Sequence, residues 1–288
     1  MKSIVIVATL LALSPACGPG RTAAATQPSP KAFDPAQSDA KSLEVVAAMQ
    51  TALGSDKWPM VKQLRWVQEA HLGAELKSHV EHAWDIWNGR HRCEITDMKT
   101  YTAPTAENPK PEPPDSMIAM YDLFDVDSAS GSAMNGKGQE LGADDRRGLK
   151  KNCFTIWKQQ SYQLTMFHKL KDPGVKLHYE GQLKDQEVKG VGTVCKGGCD
   201  TIKVTFDPAV GEDSWWVHVN SASHLPEVVE MEVKGKGRLG FVVADWTEVG
   251  GLKFAQKLQN AGLPDETFTI SEIQIGEPDG RLYIPEVH

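Results

Sequence analysis

The second half of the chain limits its fold more than any other feature. Short runs rich in β-branched and aromatic residues follow one another at Val175–Tyr179, Gln186–Val194, Thr201–Phe206, Trp215–Val219, Val228–Val233, Gly240–Thr247, Leu252–Leu258 and Phe268–Ile275, with a further run at Leu282–Val287. Turn-forming pieces separate them, among them Lys234-Gly235-Lys236-Gly237, Gly250-Gly251 and Asp279-Gly280. A parallel return needs a crossover of about a dozen residues or more, which connections this tight do not supply. The pattern predicts one long antiparallel meander.

The first half adds helices to this sheet. Ser42 to Leu53 carries Leu43, Val46, Met49 and Leu53 on one stripe, with Ser38 or Asp39 placed to cap its start and Gly54 to end it. Strands are expected at Val61–Ala70, His79–Trp87, Cys93–Tyr101 and Ser116–Val126. Five prolines between Thr102 and Asp115 leave no room for regular structure, so that stretch reads as an exposed loop, and the Gly/Ser/Asp-rich Asp127–Asp145 as a second. A mid-chain helix follows, with Leu149, Cys153, Ile156 and Trp157 inward and Lys150, Lys151, Lys158 and Gln159 outward. No repeat of fixed period is present. The fold class is therefore mainly β with α, and residues 42–288 form a single domain.

The N-terminus reads as an address. Lys2 precedes an apolar run from Ile4 to Leu13, too short to cross a bilayer and laid out like a secretory signal over residues 1–16. Cys17 follows small residues directly behind this run, as in the bacterial lipobox, where such a cysteine is lipidated. Leu13 stands one position further back than that pattern prefers, with Ser14 in its place. Cleavage after Ala23-Ala24-Ala25 is the competing reading and would discard Cys17. Residues 17–41, poor in apolar groups, read as anchor site and disordered tether.

The balance of 31 Lys+Arg against 38 Asp+Glu, a net charge of −7, argues against a nucleic-acid partner. With Cys17 set aside, four cysteines remain. Cys195-Lys-Gly-Gly-Cys199 makes a tight reversal easy and favours a disulfide between its ends, leaving Cys93 to pair with Cys153 or to stay a free buried thiol. A four-thiolate zinc site is disfavoured because there is one close pair and no histidine near it at finger-like spacing. Nor is there a Gly-x-Ser-x-Gly elbow, a His-Glu-x-x-His pair or a phosphate-binding Gly-rich loop, so no catalytic residue, metal or cofactor is expected. His91, between Arg90 and Arg92, reads as part of a solvated basic strand edge.

The order of pieces resembles a known group. His82-Ala-Trp-Asp85, Gly89-Arg90-His91-Arg92, the stretch Phe167 to Gly181, Thr201 to Phe206, Trp215-Trp216-Val217-His218-Val219, Asp245-Trp246 and Gly250-Gly251-Leu252-Lys253 carry the likeness. It is to exported bacterial proteins similar to the lipoprotein carriers and receptors of the LolA/LolB type. The resemblance implies a strongly curved antiparallel sheet, an unclosed half-barrel covered by helices, with an apolar cavity that accepts acyl chains. On this reading Trp66, Trp84, Met120, Ile156 and Trp157 line the cavity, and the partners are lipid or lipoprotein acyl chains together with the membrane reached through the Cys17 anchor. Ordinary core packing is the competing explanation for the same residues. A long acyl chain at roughly 0.8 kcal/mol per buried methylene supplies about 10 kcal/mol before ordering costs. The expectation is thus a non-catalytic envelope lipoprotein, on the outer membrane because Gly18 and not Asp follows Cys17. A structural or assembly lipoprotein acting through surface contacts is the alternative, and a hydrolase a distant third.

Overall fold

The computed structural model describes residues 32–103, 105–109, 111–128, 130–208, 213–233 and 237–284. Its strands are β1 (Gln63–Leu72), β2 (Glu75–Asp85), β3 (Arg90–Thr96), β4 (Ser116–Asp122), β5 (Ser132–Met134), β6 (Val175–Leu183), β7 (Gln186–Val188), β8 (Gly192–Val194), β9 (Cys199–Phe206), β10 (Trp215–Asn220), β11 (Pro226–Val233), β12 (Gly237–Val249), β13 (Leu252–Asn260) and β14 (Glu266–Gly276). Two α-helices, α1 (Ala40–Ala52) and α2 (Ala143–Thr165), join them.

Twelve strands make one antiparallel sheet in the order β5-β4-β3-β2-β1-β14-β13-β12-β11-β10-β9-β6, an unclosed half-barrel. The chain lays strands outward from β1 to one edge at β5. It then crosses by α2 to the other edge at β6 and works back inward until β14 pairs with β1. α2 is therefore strung between the two edges of the sheet. Its 23 residues span about 35 Å at 1.5 Å each.

Both helices cover the same face. Val45, Val46 and Met49 of α1, with Leu53 directly after it, pack in one cluster with Leu177, Ile202, Val204, Val217 and Val219. The short 3-10 turn after α2 adds Met166 and Phe167 to this cluster, and Leu170 directly after it joins them. Two further clusters lie under α2, one around Trp66, Trp84 and Trp157 and one around Val80, Cys93, Tyr121 and Cys153.

Several expectations need correction. The tether ends before residue 41, because residues 32–41 belong to the fold. Phe33 packs on the α1 cluster, and the Asp39 carboxylate accepts from the Ser42 and Tyr179 amides at 2.8 and 2.7 Å. Ser38 Oγ accepts from the Leu177 amide at 3.0 Å. Gln186–Val194 is a hairpin and not one strand, because Gly190 and Gly192 take positive φ and turn the chain. Asp127–Asp145 holds β5 and the start of α2. Gly280–Tyr283 is a 3-10 turn where a strand was expected, and residues 285–287 lie outside the described residues. Lys150 does not face outward. It is fully buried and donates to the Ser128 and Ser130 carbonyls at 2.7 Å each, tying the preceding loop to α2. The signal and Cys17 also lie outside the described residues. No helix among the described residues is long and apolar enough to cross a membrane.

Candidate functional site

Alternation along β1–β4 decides what meets α2. Register pairs Leu64 with Trp84, Trp66 with His82, Trp84 with His91, His82 with Cys93, His91 with Tyr121 and Cys93 with Ala119. These residues share the covered face, since paired residues point to one side and neighbours along a strand to opposite sides. α2 answers with a buried stripe of Leu149, Cys153, Trp157, Ser161 and Leu164, spaced to stay on one side of a helix.

Three of the five expected cavity residues meet here. Trp66, Trp84 and Trp157 lie in one cluster, and Trp84 meets Trp157 edge to face at 5.3 Å. They are 1, 6 and 5% exposed, so the rings are packed and do not border open space. Ile156 sits one cluster over, partly buried near Cys153. Met120 is on the other face. It pairs with Arg92 and Ser132, while its neighbours Ala119 and Tyr121 take the α2 side, so it cannot line a cavity there.

The residues that sequence reasoning missed are polar. His82 stacks on Trp66 at 4.3 Å, and a hydrogen-bonded chain runs through the seam. Burial holds His82 down to about 4 and His91 well below the usual imidazole range, so both rings are neutral. Gln160 Oε1 lies 2.5 Å from His82 Nε2, which makes that nitrogen the donor. His82 Nδ1 must then accept from His91 Nε2 at 3.0 Å, and His91 Nδ1 from the Tyr121 hydroxyl at 2.8 Å. The direction of every bond from Tyr121 to Gln160 follows from one acceptor. His91 is no solvated edge. β3 lies inside the sheet, and alternation sends Arg90 and Arg92 to one face and His91 to the other. The same parity, read from Trp84, would have placed His82 inward.

The seam is not fully satisfied. Gln68 Nε2 donates to Gln163 of α2, but Gln68 Oε1 has no partner, nor do the indole nitrogens of Trp66 and Trp157. An unpaired buried group costs about 1–3 kcal/mol. The α1 contact is of another kind, with its apolar stripe on the sheet and the Asp39 cap bonded to β6.

On the opposite face the Cys195 and Cys199 sulfurs are bonded to each other across the turn from β8 to β9. The Glu227 carboxylate beside them accepts from the Cys195 amide at 2.5 Å and from Asn220 Nδ2 at 2.8 Å. Both sulfurs are taken up by the bridge, which removes the thiolates a zinc ion would require.

No family model matches the chain, and no curated protein matches it in sequence. Solved structures similar to it include a domain assigned to outer membrane lipoprotein sorting from Vibrio parahaemolyticus, at 10% identity over 84% of this chain and 96% of that one, with a TM-score of 0.38. A DUF1329 family protein from Desulfovibrio piger shares 10% identity over 83% of this chain and 96% of that one, with a TM-score of 0.35. The MucA/MucB complex of Pseudomonas aeruginosa gives 12% identity over 84% of this chain and 60% of that one, with a TM-score of 0.25.

Proposed function

We propose that this protein is a non-catalytic carrier of the bacterial envelope, tethered through lipidated Cys17, which takes an acyl chain of a lipid or lipoprotein between α2 and strands β1–β3. The observation that carries this reading is the α2 seam. A helix strung between two sheet edges cannot leave, but it can shift, and this one closes over an interface with three unpartnered polar atoms. Two of these are indole N–H donors, the complement of an ester or amide carbonyl at the head of an acyl chain. The rings around them offer broad apolar surface for the chain itself. The two neutral histidines have their nitrogens engaged, and among the described residues no serine, threonine or cysteine is hydrogen-bonded to either ring, which favours binding over chemistry.

The test measures binding of a fluorescent fatty acid and unfolding stability on the same full-length proteins, parent and Trp157→Ala. A carrier binds the probe, and the variant loses binding by more than its loss of stability accounts for. No binding to the parent, with a stability loss in the variant of about 3–5 kcal/mol as for a filled core, overturns the carrier reading. That outcome supports the second one, a structural lipoprotein acting through its surface. The near-complete burial of Trp66, Trp84 and Trp157 is the observation that favours it.

A further inference from the structure

Cys93 and Cys153 are not bonded to each other, yet they occupy one place. Cys93 is on the covered face of β3, between His82 and Ala119 across the ladder, and Cys153 is on the buried stripe of α2. Neither is exposed at all, and both belong to the same buried cluster. Val80, Ala119, Tyr121, Ala133 and Leu149 close around them. The same chain carries a bonded pair at Cys195–Cys199, so whatever compartment closes that bridge exposes these thiols to the same oxidant.

We propose that Cys93 and Cys153 form a second disulfide, a covalent latch that fastens α2 to the sheet. The oxidant is a disulfide-bearing exchange partner. One cysteine, as thiolate, attacks the partner's disulfide and releases one partner thiolate. The second cysteine then attacks the mixed disulfide and releases the other. Two protein thiols give up two electrons and two protons, and the partner's disulfide becomes a dithiol. Burial and the neighbouring sulfur push the Cys93 thiol well above its ordinary range, so the docked pair is a poor nucleophile. Exchange therefore proceeds when α2 is lifted and the product holds the helix down, which makes the rate of oxidation a clock for helix opening. The latch does not depend on what the covered face binds.

The full-length protein, isolated from the envelope of an expressing bacterium with free thiols blocked at lysis, is digested without reduction. The expected result is a peptide linking Cys93 to Cys153 beside one linking Cys195 to Cys199. Recovery of Cys93 and Cys153 as blocked thiols while Cys195–Cys199 remains bonded overturns the proposal. Amide exchange then tests the latch: reduction should speed exchange in residues 149–161 by about tenfold, to the rate of the Cys93→Ala/Cys153→Ala double variant. A linked protein whose α2 exchange is unchanged by reduction refutes the latch. Neither readout involves a fatty acid, so failure here is distinct from failure of the carrier reading.

Discussion

Acid should loosen the α2 seam, and His82 is where the effect can be isolated. In the unfolded chain this imidazole titrates near 6.5, while burial under α2 holds it down to about 4. Above 6.5 both states are neutral and the ring contributes no pH dependence. As pH falls below 6.5 the unfolded chain takes up a proton that the folded protein refuses. Stability is therefore lost with falling pH until the folded ring titrates near 4. At pH 5 the unfolded ring is almost wholly protonated and the folded one hardly at all, which removes about 2 kcal/mol relative to pH 8. Other groups overlay this. His168, held down to about 4 by burial, adds a loss of the same sign. His79, raised by its bonds to Glu81 and Glu69, works the other way, since its contribution is present below 6.5 and fades as pH rises through its folded value. His82→Gln separates the terms, because an amide can still donate to Gln160 and accept from His91. Urea unfolding followed by tryptophan fluorescence at pH 8 and pH 5 should show the parent losing about 2 kcal/mol more than the variant on acidification. Equal losses in the two proteins would refute the assignment of a buried neutral His82.

Two further outcomes test the frame around the site. Gly54 has φ +68 and a side chain there would run into the Gly251 carbonyl oxygen, whereas Gly73 has φ +60 and open space around it. Gly54→Ala should cost at least about 2 kcal/mol and Gly73→Ala about 1 kcal/mol by thermal unfolding, and equal costs would mean the close approach is absent. Cys195→Ser removes a bridge of sequence separation 4 and should lower stability by about 2 kcal/mol in chemical denaturation under non-reducing conditions. No loss would mean that the turn is held by Glu227 and Asn220 alone.

The sequence makes the large rings legible, and for a physical reason. Trp66 and Trp84 stand on alternating strands, and Trp157 on a helical stripe, so local periodicity alone sends them to one side. Met120 shows where that logic ends. Both faces of β4 carry apolar residues, Met117, Ala119 and Tyr121 against Ile118 and Met120, so the pattern does not say which set meets α2. That choice is made by pairing with β3. His91 was obscured by the charges of its neighbours, although alternation separates them. The half-satisfied seam was beyond reach, because Gln68 and Gln163 come together only when a strand and a helix 95 residues apart have docked.

The pairing of β1 with β14 has a consequence for biogenesis. Leu72 lies opposite Glu266, so two segments about 190 residues apart in the chain meet in the middle of the sheet. Each flank is a local meander that zips up as it is made, but β1 leaves the ribosome long before the neighbour that will cover its free side. Until β14 arrives, a row of unpaired amides and carbonyls stands next to Trp66 and Val67, the kind of border on which polypeptides aggregate. A chain of this design gains from a holding chaperone during synthesis or export. Truncations that remove β14 should yield insoluble protein instead of a shorter version of the same fold.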